Sequence, residues 1–135
     1  DTRSGNECGQ TPGAANLLVI DDDGVIRQLL DEALTSLGYT VKAVESAEHG
    51  LTSVEQDRYD LILLDLRMPG MGGSEFFRTI DQWYPELTSR VIFMTGDAAS
   101  PDIRRFLKTA RRPILSKPLG LDELERAVTS ELNPR

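Results

Sequence analysis

Cysteine and histidine each occur once in 135 residues, and basic residues are outnumbered, 15 Lys and Arg against 22 Asp and Glu, for a formal net charge of −7. Each shortage excludes something. The lone Cys8 leaves no internal disulfide, and its polar surroundings mark it as an incidental exposed thiol. The excess of acid argues against nonspecific attraction to nucleic acid or to an anionic membrane surface, so a DNA-reading module would lie outside this chain. No apolar stretch approaches the roughly 18 residues that suggest a membrane span, and no basic-then-apolar secretory pattern opens the chain. A cytoplasmic location, with no membrane contact, is the expectation. No internal repeat is visible. Residues 1–15, rich in Gly, Ser, Asn, Thr and Pro, read as a flexible linker or tail, and the start on Asp1 rather than Met suggests a piece of a longer protein. The rest, 16–132, fits one domain with a single core.

What the chain does have is regularity. Four short apolar runs each stop at residues suited to phosphoryl chemistry: LLVI at Asp21-Asp22, LILL at Asp65, VIFM at Thr95 and PIL at Ser116-Lys117. Continuous apolar runs are the signature of parallel strands buried on both faces, and open α/β sheets bind ligands beyond the carboxyl ends of their strands. Five strand-like runs alternate with helix-like segments, which predicts an α/β, doubly wound fold with helices on both faces. The strands are expected at about 16–21, 40–44, 60–64, 90–94 and 113–116.

The helices follow from periodicity and caps. Ile26, Leu29, Leu30, Ala33, Leu34 and Leu37 space a first helix over about 24–37, with Gly38 as its left-handed stop. Ser46 caps a second over about 47–56, where His49 reads as a surface residue. The loop from Arg67 to Gly73, with Pro69 and three glycines, must turn sharply before a third helix carrying Phe76, Phe77, Ile80 and Trp83. Ser100-Pro101-Asp102 is a helix start, for a fourth helix burying Ile103, Phe106, Leu107 and Ala110. A fifth helix, about 121–132, turns Leu121, Leu124, Val128 and Leu132 inward.

Bringing Asp21, Asp22 and Asp65 into one crevice costs Coulomb repulsion unless a cation neutralises them. All-oxygen ligands fit Mg²⁺, with Mn²⁺ as a substitute and Ca²⁺ a poorer occupant. A carboxylate can attack phosphorus to form an aspartyl phosphate when the metal and a fixed positive charge neutralise the equatorial oxygens. Lys117 supplies that charge and Thr95 a hydroxyl donor. Lys117-Pro118 is a candidate cis peptide.

The segments VIDDDGVIR, LLDLRMPGMGG, FMTGD and LSKP resemble the receiver (response-regulator) domain of two-component signalling, and the likeness covers about residues 16–132. The separations of Asp65 from Thr95 (30 positions) and from Lys117 (52 positions) are usual for that family. The resemblance implies a flavodoxin-like five-stranded parallel sheet of order 2-1-3-4-5. It makes Asp65 the phosphoacceptor and Asp22 a direct Mg²⁺ ligand, with Asp21 assisting through water and the backbone carbonyl of Arg67 as a third ligand. Thr95 and Lys117 would hold the phosphoryl group, and Asp23 would cap a helix. The donor would be a phosphohistidine on a sensor histidine kinase or a histidine phosphotransfer protein. Activity would be limited to self-phosphorylation and slow autodephosphorylation. Output would run through the face of helix four, strand five and helix five, where a homodimer could also form. Ile114 departs from the aromatic residue common three places before the lysine, which excludes aromatic rotation there.

The TGD sequence and the Phe106-Leu107 stretch further resemble C-terminal receivers of hybrid sensor histidine kinases, with a free-standing regulator as the alternative. Arg67 and Asp97 either pair across the site mouth and slow water attack or stand as two solvated side chains. The basic group Arg104, Arg105, Lys108, Arg111 and Arg112 stands against the acidic Asp122, Glu123 and Glu125, as solvated faces or a self-association surface. Two rivals remain. Asp21-Asp22-Asp23-Gly24 also resembles the opening of haloacid-dehalogenase-type phosphatases, with Asp21 as nucleophile and Asp23 as acid/base; the third reading is an unphosphorylated interaction module.

Overall fold

The computed structural model describes residues 15–68 and 70–132; Cys8, the rest of the expected tail to residue 14, and Pro69 lie outside the described residues. Five strands, β1 (Asn16–Ile20), β2 (Thr40–Val44), β3 (Leu61–Asp65), β4 (Val91–Thr95) and β5 (Ile114–Ser116), form an all-parallel sheet of order 2-1-3-4-5. Between and after them run α1 (Gly24–Ser36), α2 (Ala47–Gln56), α3 (Gly73–Trp83), α4 (Pro101–Ala110) and α5 (Leu121–Leu132). The expected fold is the observed one.

Because side chains alternate across a strand, each central strand feeds two cores. Leu18, Ile20, Ile62, Leu64 and Phe93 pack with Phe76, Phe77, Ile80 and Ile103 under α2, α3 and α4. On the opposite face Leu17, Val19, Leu63, Ile92, Met94 and Leu115 meet Leu30 and Leu34 of α1 and Leu124 and Val128 of α5. Burying each of these side chains contributes about 1.5–3 kcal/mol, so the sheet is held from both sides and its carboxyl edge is fixed.

Several boundaries differ from the sequence reading. Strands β3 and β4 begin one residue later, at Leu61 and Val91, and run through Asp65 and Thr95, so both residues are the last of their strands. Arg90 instead closes a short 3-10 helix, Pro85–Arg90, because Pro85 starts a turn ahead of the strand. Ser46 caps α2 as expected, accepting from the His49 amide, and Gly38 adopts φ +100 after α1. Ser100 precedes α4 but makes no side-chain cap bond. Trp83, Leu121 and Leu37 stand outward, at 68 %, 55 % and 42 % exposure, since each lies at a helix end beyond the reach of the sheet. Leu29 is also exposed, whereas Ile103 is the only one of the four residues expected inward on α4 that is buried, the others being half-buried.

Candidate functional site

Asp21, Asp22 and Asp65 converge where β1 and β3 end side by side, with one carboxylate oxygen from each lying within 4.8 Å of the other two. Asp21 is fully buried and Asp65 nearly so, while Asp22 opens to solvent and its carboxylate has no hydrogen-bond partner among the described residues. Lys117, at the end of the neighbouring strand but one, reaches back over the edge. Its Nζ lies 2.8 Å from Asp21 Oδ2 and 3.4 Å from Asp65 Oδ2. The Lys117–Pro118 peptide is cis, and the Lys117 amide donates to the Thr95 carbonyl at 2.8 Å.

Three acids against one ammonium leave an unbalanced charge. Burial, with the Asp21 charge beside it, pushes the Asp65 carboxyl up to about 6, while Lys117 and the Arg67 amide pull the other way. Burial alone would lower the Lys117 ammonium, but its hydrogen bond to Asp21 and the charges of Asp65 and Asp21 more than offset this and raise it. A protonated Lys117 therefore sits in the crevice at neutral pH. The partnerless Asp22 carboxylate, the all-oxygen donor set and the surplus negative charge fit a hard divalent cation.

The other expected residues are at the same edge with different tasks. Thr95 is buried at the end of β4, and its Oγ1 accepts from the Asp97 amide at 3.0 Å, which leaves the hydroxyl proton for another acceptor. No hydrogen bond joins Thr95 to Asp65 among the described residues. The Arg67 amide donates to Asp65 Oδ1 at 3.3 Å, and its guanidinium turns away to Asp97 Oδ2 at 2.8 Å and Ser100 Oγ at 3.4 Å. Asp23 does not join the cluster: its carboxylate accepts from the Val25 and Ile26 amides and caps α1. His49 lies in α2 with its Nδ1 beside Ser46 Oγ.

Two supporting contacts were not read from the sequence. A Cβ on Gly73 would lie 2.4 Å from the Asp65 carbonyl oxygen, so α3 can start against the end of β3 only without a side chain there. The Arg27 guanidinium donates to the Asp21 carbonyl at 2.8 Å. Neither residue type is informative by itself, because the contact that gives it meaning comes from another element.

The basic and acidic groups flanking β5 remain apart: among the described residues no ion pair joins them. Arg105 pairs within α4 with Asp102, and Arg112 pairs with Glu131 and donates to the Val91 carbonyl.

The family model described as response regulator receiver domain matches residues 17–129. The chain is 35 % identical over 118 residues to the transcriptional regulatory protein GlrR of Escherichia coli, covering 87 % of this chain and 26 % of that protein. It is 35 % identical over 127 residues to the sensor histidine kinase AruS of Pseudomonas aeruginosa, covering 89 % of this chain and 13 % of that protein. This chain therefore spans about a quarter or less of the length of these relatives. Among solved structures, the receiver domain of a Pseudomonas aeruginosa sensor histidine kinase, with magnesium coordinated in its active site cleft, superposes with a TM-score of 0.79 at 29 % identity, covering 89 % of this chain and 98 % of that one.

Proposed function

The chain belongs to the response regulator receiver domain family, and we propose that within it Asp65 is the phosphoacceptor. The observation that carries this is a buried carboxylate at a strand end, in contact with Lys117 and beside two further acids. A carboxylate oxygen of Asp65 attacks the phosphorus of a phosphohistidine on a kinase or phosphotransfer protein. A C–O–P linkage forms, the P–N bond breaks, and the imidazole leaves with the electron pair. Lys117 offsets the charge on the transferring oxygens, and the Thr95 hydroxyl donates to one of them. Mg²⁺, or Mn²⁺ in its place, would be held by Asp22, Asp65 and the Arg67 carbonyl, with Asp21 assisting; bound there, it supplies charge neutralisation.

The new phosphoryl charge, about −1.5 to −2, then competes with Asp21 for Lys117. The loop after β4 shifts, and the α4-β5-α5 face carries the change outward, without an aromatic at Ile114. That face, basic on α4 and acidic on α5, also suits a homodimer. In this reading the domain makes no direct nucleic acid contact and works in the cytoplasm, as the C-terminal receiver of a hybrid kinase, with a free-standing regulator or part of a longer regulator as the alternatives.

The phosphatase alternative fares poorly. Asp23, its would-be acid/base, is consumed as a helix cap, and both carboxylate oxygens of Asp21, its would-be nucleophile, are already occupied, Oδ1 by the Asp23 amide and Oδ2 by Lys117. Incubation with acetyl phosphate and Mg²⁺, followed by mapping of the acyl phosphate, separates the readings. Label on Asp65 is expected. Label on Asp21 would transfer the assignment to the phosphatase class, and no label on any aspartate would leave an interaction module.

A further inference from the structure

Strand β1 ends with an unsolved hydrogen-bonding problem. Its ladder to β3 stops at the Ile20–Leu64 pair. Beyond that point the Asp21 amide still donates to Val44 of β2, but no backbone amide among the described residues donates to the Asp21 carbonyl. The Asp21 carbonyl is therefore left in a buried position without a strand partner, and buried carbonyls rarely stay unpaired. The donor that fills the gap is the Arg27 guanidinium, at 2.8 Å. It arrives from α1 by folding back over the helix start, close enough that a Cβ on Gly24 would lie 3.3 Å from its Nη2.

The carbonyl it grips belongs to the peptide that joins Asp21 to Asp22. Three contacts fix this short segment: Arg27 holds the Asp21 carbonyl, the Asp23 amide donates to Asp21 Oδ1 at 2.9 Å, and Lys117 holds Asp21 Oδ2 at 2.8 Å. Asp22, between them, is the one acid of the cluster whose side chain is free of hydrogen bonds among the described residues. Its aim depends on the backbone on either side. Nothing else among the described side chains bonds the Asp21 carbonyl.

We propose that Arg27 is a positioning residue for the cation site: by holding the Asp21 carbonyl it sets the Asp22 carboxylate toward the divalent cation. This rests on the metal-assisted reading of the site above. Arginine suits the task. Its planar fork stays charged at any physiological pH, so the grip does not loosen as the neighbouring carboxylates titrate. Residues behind metal ligands commonly change affinity by about 10–100-fold when removed.

The test is Mg²⁺ binding by calorimetry on the full chain, for wild type, Arg27→Met, Arg27→Lys and Asp22→Ala. Arg27→Met keeps an unbranched side chain and removes the donor, and is expected to weaken Mg²⁺ binding about tenfold. Arg27→Lys, which keeps a charged donor, should recover most of that loss. With acetyl phosphate as donor, Arg27→Met should raise the Mg²⁺ concentration needed for half-maximal phosphorylation and leave the rate at saturating Mg²⁺ unchanged. A merely structural role would lower both or neither. Wild-type Mg²⁺ affinity in Arg27→Met overturns the role of Arg27 and leaves the metal reading intact, provided Asp22→Ala has lost binding. A wild-type chain that binds no Mg²⁺ overturns the metal reading and this inference with it. If Arg27→Met fails to fold, Arg27→Gln, whose shorter neutral side chain cannot make the same contact, decides: about tenfold weaker Mg²⁺ binding supports the proposal, and wild-type affinity overturns it.

Discussion

Arg67 and Asp97 meet across the mouth of the site at 2.8 Å, with half or more of each side chain open to solvent, 59 % and 50 %. A pair so exposed contributes little to stability, about 0–1 kcal/mol, so its consequence lies in what it covers. It spans from the residue two after Asp65 to the residue two after Thr95, and its arginine also touches Ser100 at the start of α4. Arg67→Ala removes the bridge and keeps the backbone carbonyl. The phosphoaspartate lifetime of this variant should fall several-fold with the melting temperature unchanged. An unaltered lifetime would show that the pair does not shield the acyl phosphate from water.

Asp65 gives the apo protein a defined pH dependence. Its carboxyl is raised to about 6 in the folded chain from an ordinary 3.8. The folded state therefore binds a proton more tightly than the unfolded state, and the penalty for ionising Asp65 is absent at low pH. Stability falls as pH rises from about 4 to about 6 and then levels. Asp65→Asn cannot ionise. In EDTA it should match wild type near pH 4 and exceed it at pH 7 by about 1–3 kcal/mol, measured by denaturant titration. A constant difference across that window would refute the assignment of the shift to Asp65. Added Mg²⁺ should stabilise wild type at pH 7, by about 2.7 kcal/mol at 100 times its Kd, and do so much less in Asp65→Asn.

Gly73 carries a steric requirement at the site itself. A methyl group there would meet the Asp65 carbonyl at 2.4 Å and the Leu66 Cα at 2.7 Å, both backbone and unable to rotate aside. Gly73→Ala should cost about 2–3 kcal/mol and slow phosphorylation at Asp65 by displacing the end of β3. Wild-type stability and rate in this variant would mean that α3 can slide without consequence.

Arg111 closes α4 in a left-handed conformation, φ 56 and ψ 44, which costs a residue with a Cβ about 1–2 kcal/mol. Arg111→Gly removes that strain and should stabilise the domain by about 1 kcal/mol, read from the denaturation midpoint. A neutral or destabilising result would indicate that the arginine side chain contributes more than its backbone costs.

The layout of the sheet was legible in the sequence because its signals are local. Four apolar runs ending on Asp21-Asp22, Asp65, Thr95 and Ser116-Lys117 state both the strands and their functional ends, and Ser46, Asp23 and Gly38 mark helix limits by their own chemistry. The misplaced one-residue offsets of β3 and β4 arose because Asp60 and Arg90 lie beside the apolar run, and periodicity carries no sharp edge. Leu121 was expected inward from helical spacing, yet as the first residue of α5 it stands exposed.

Residue type and order alone determined the parallel sheet, its two buried faces and the gathering of acids, hydroxyl and lysine at one edge, because alternation and strand ends are properties of the chain itself. Tertiary structure decided which oxygen each cation holds. Lys117 lies nearer Asp21 than Asp65, Arg27 serves a carbonyl six residues back, and Gly73 is required by a strand it does not belong to. Those choices depend on distances between elements, and such distances exist only once both cores have packed.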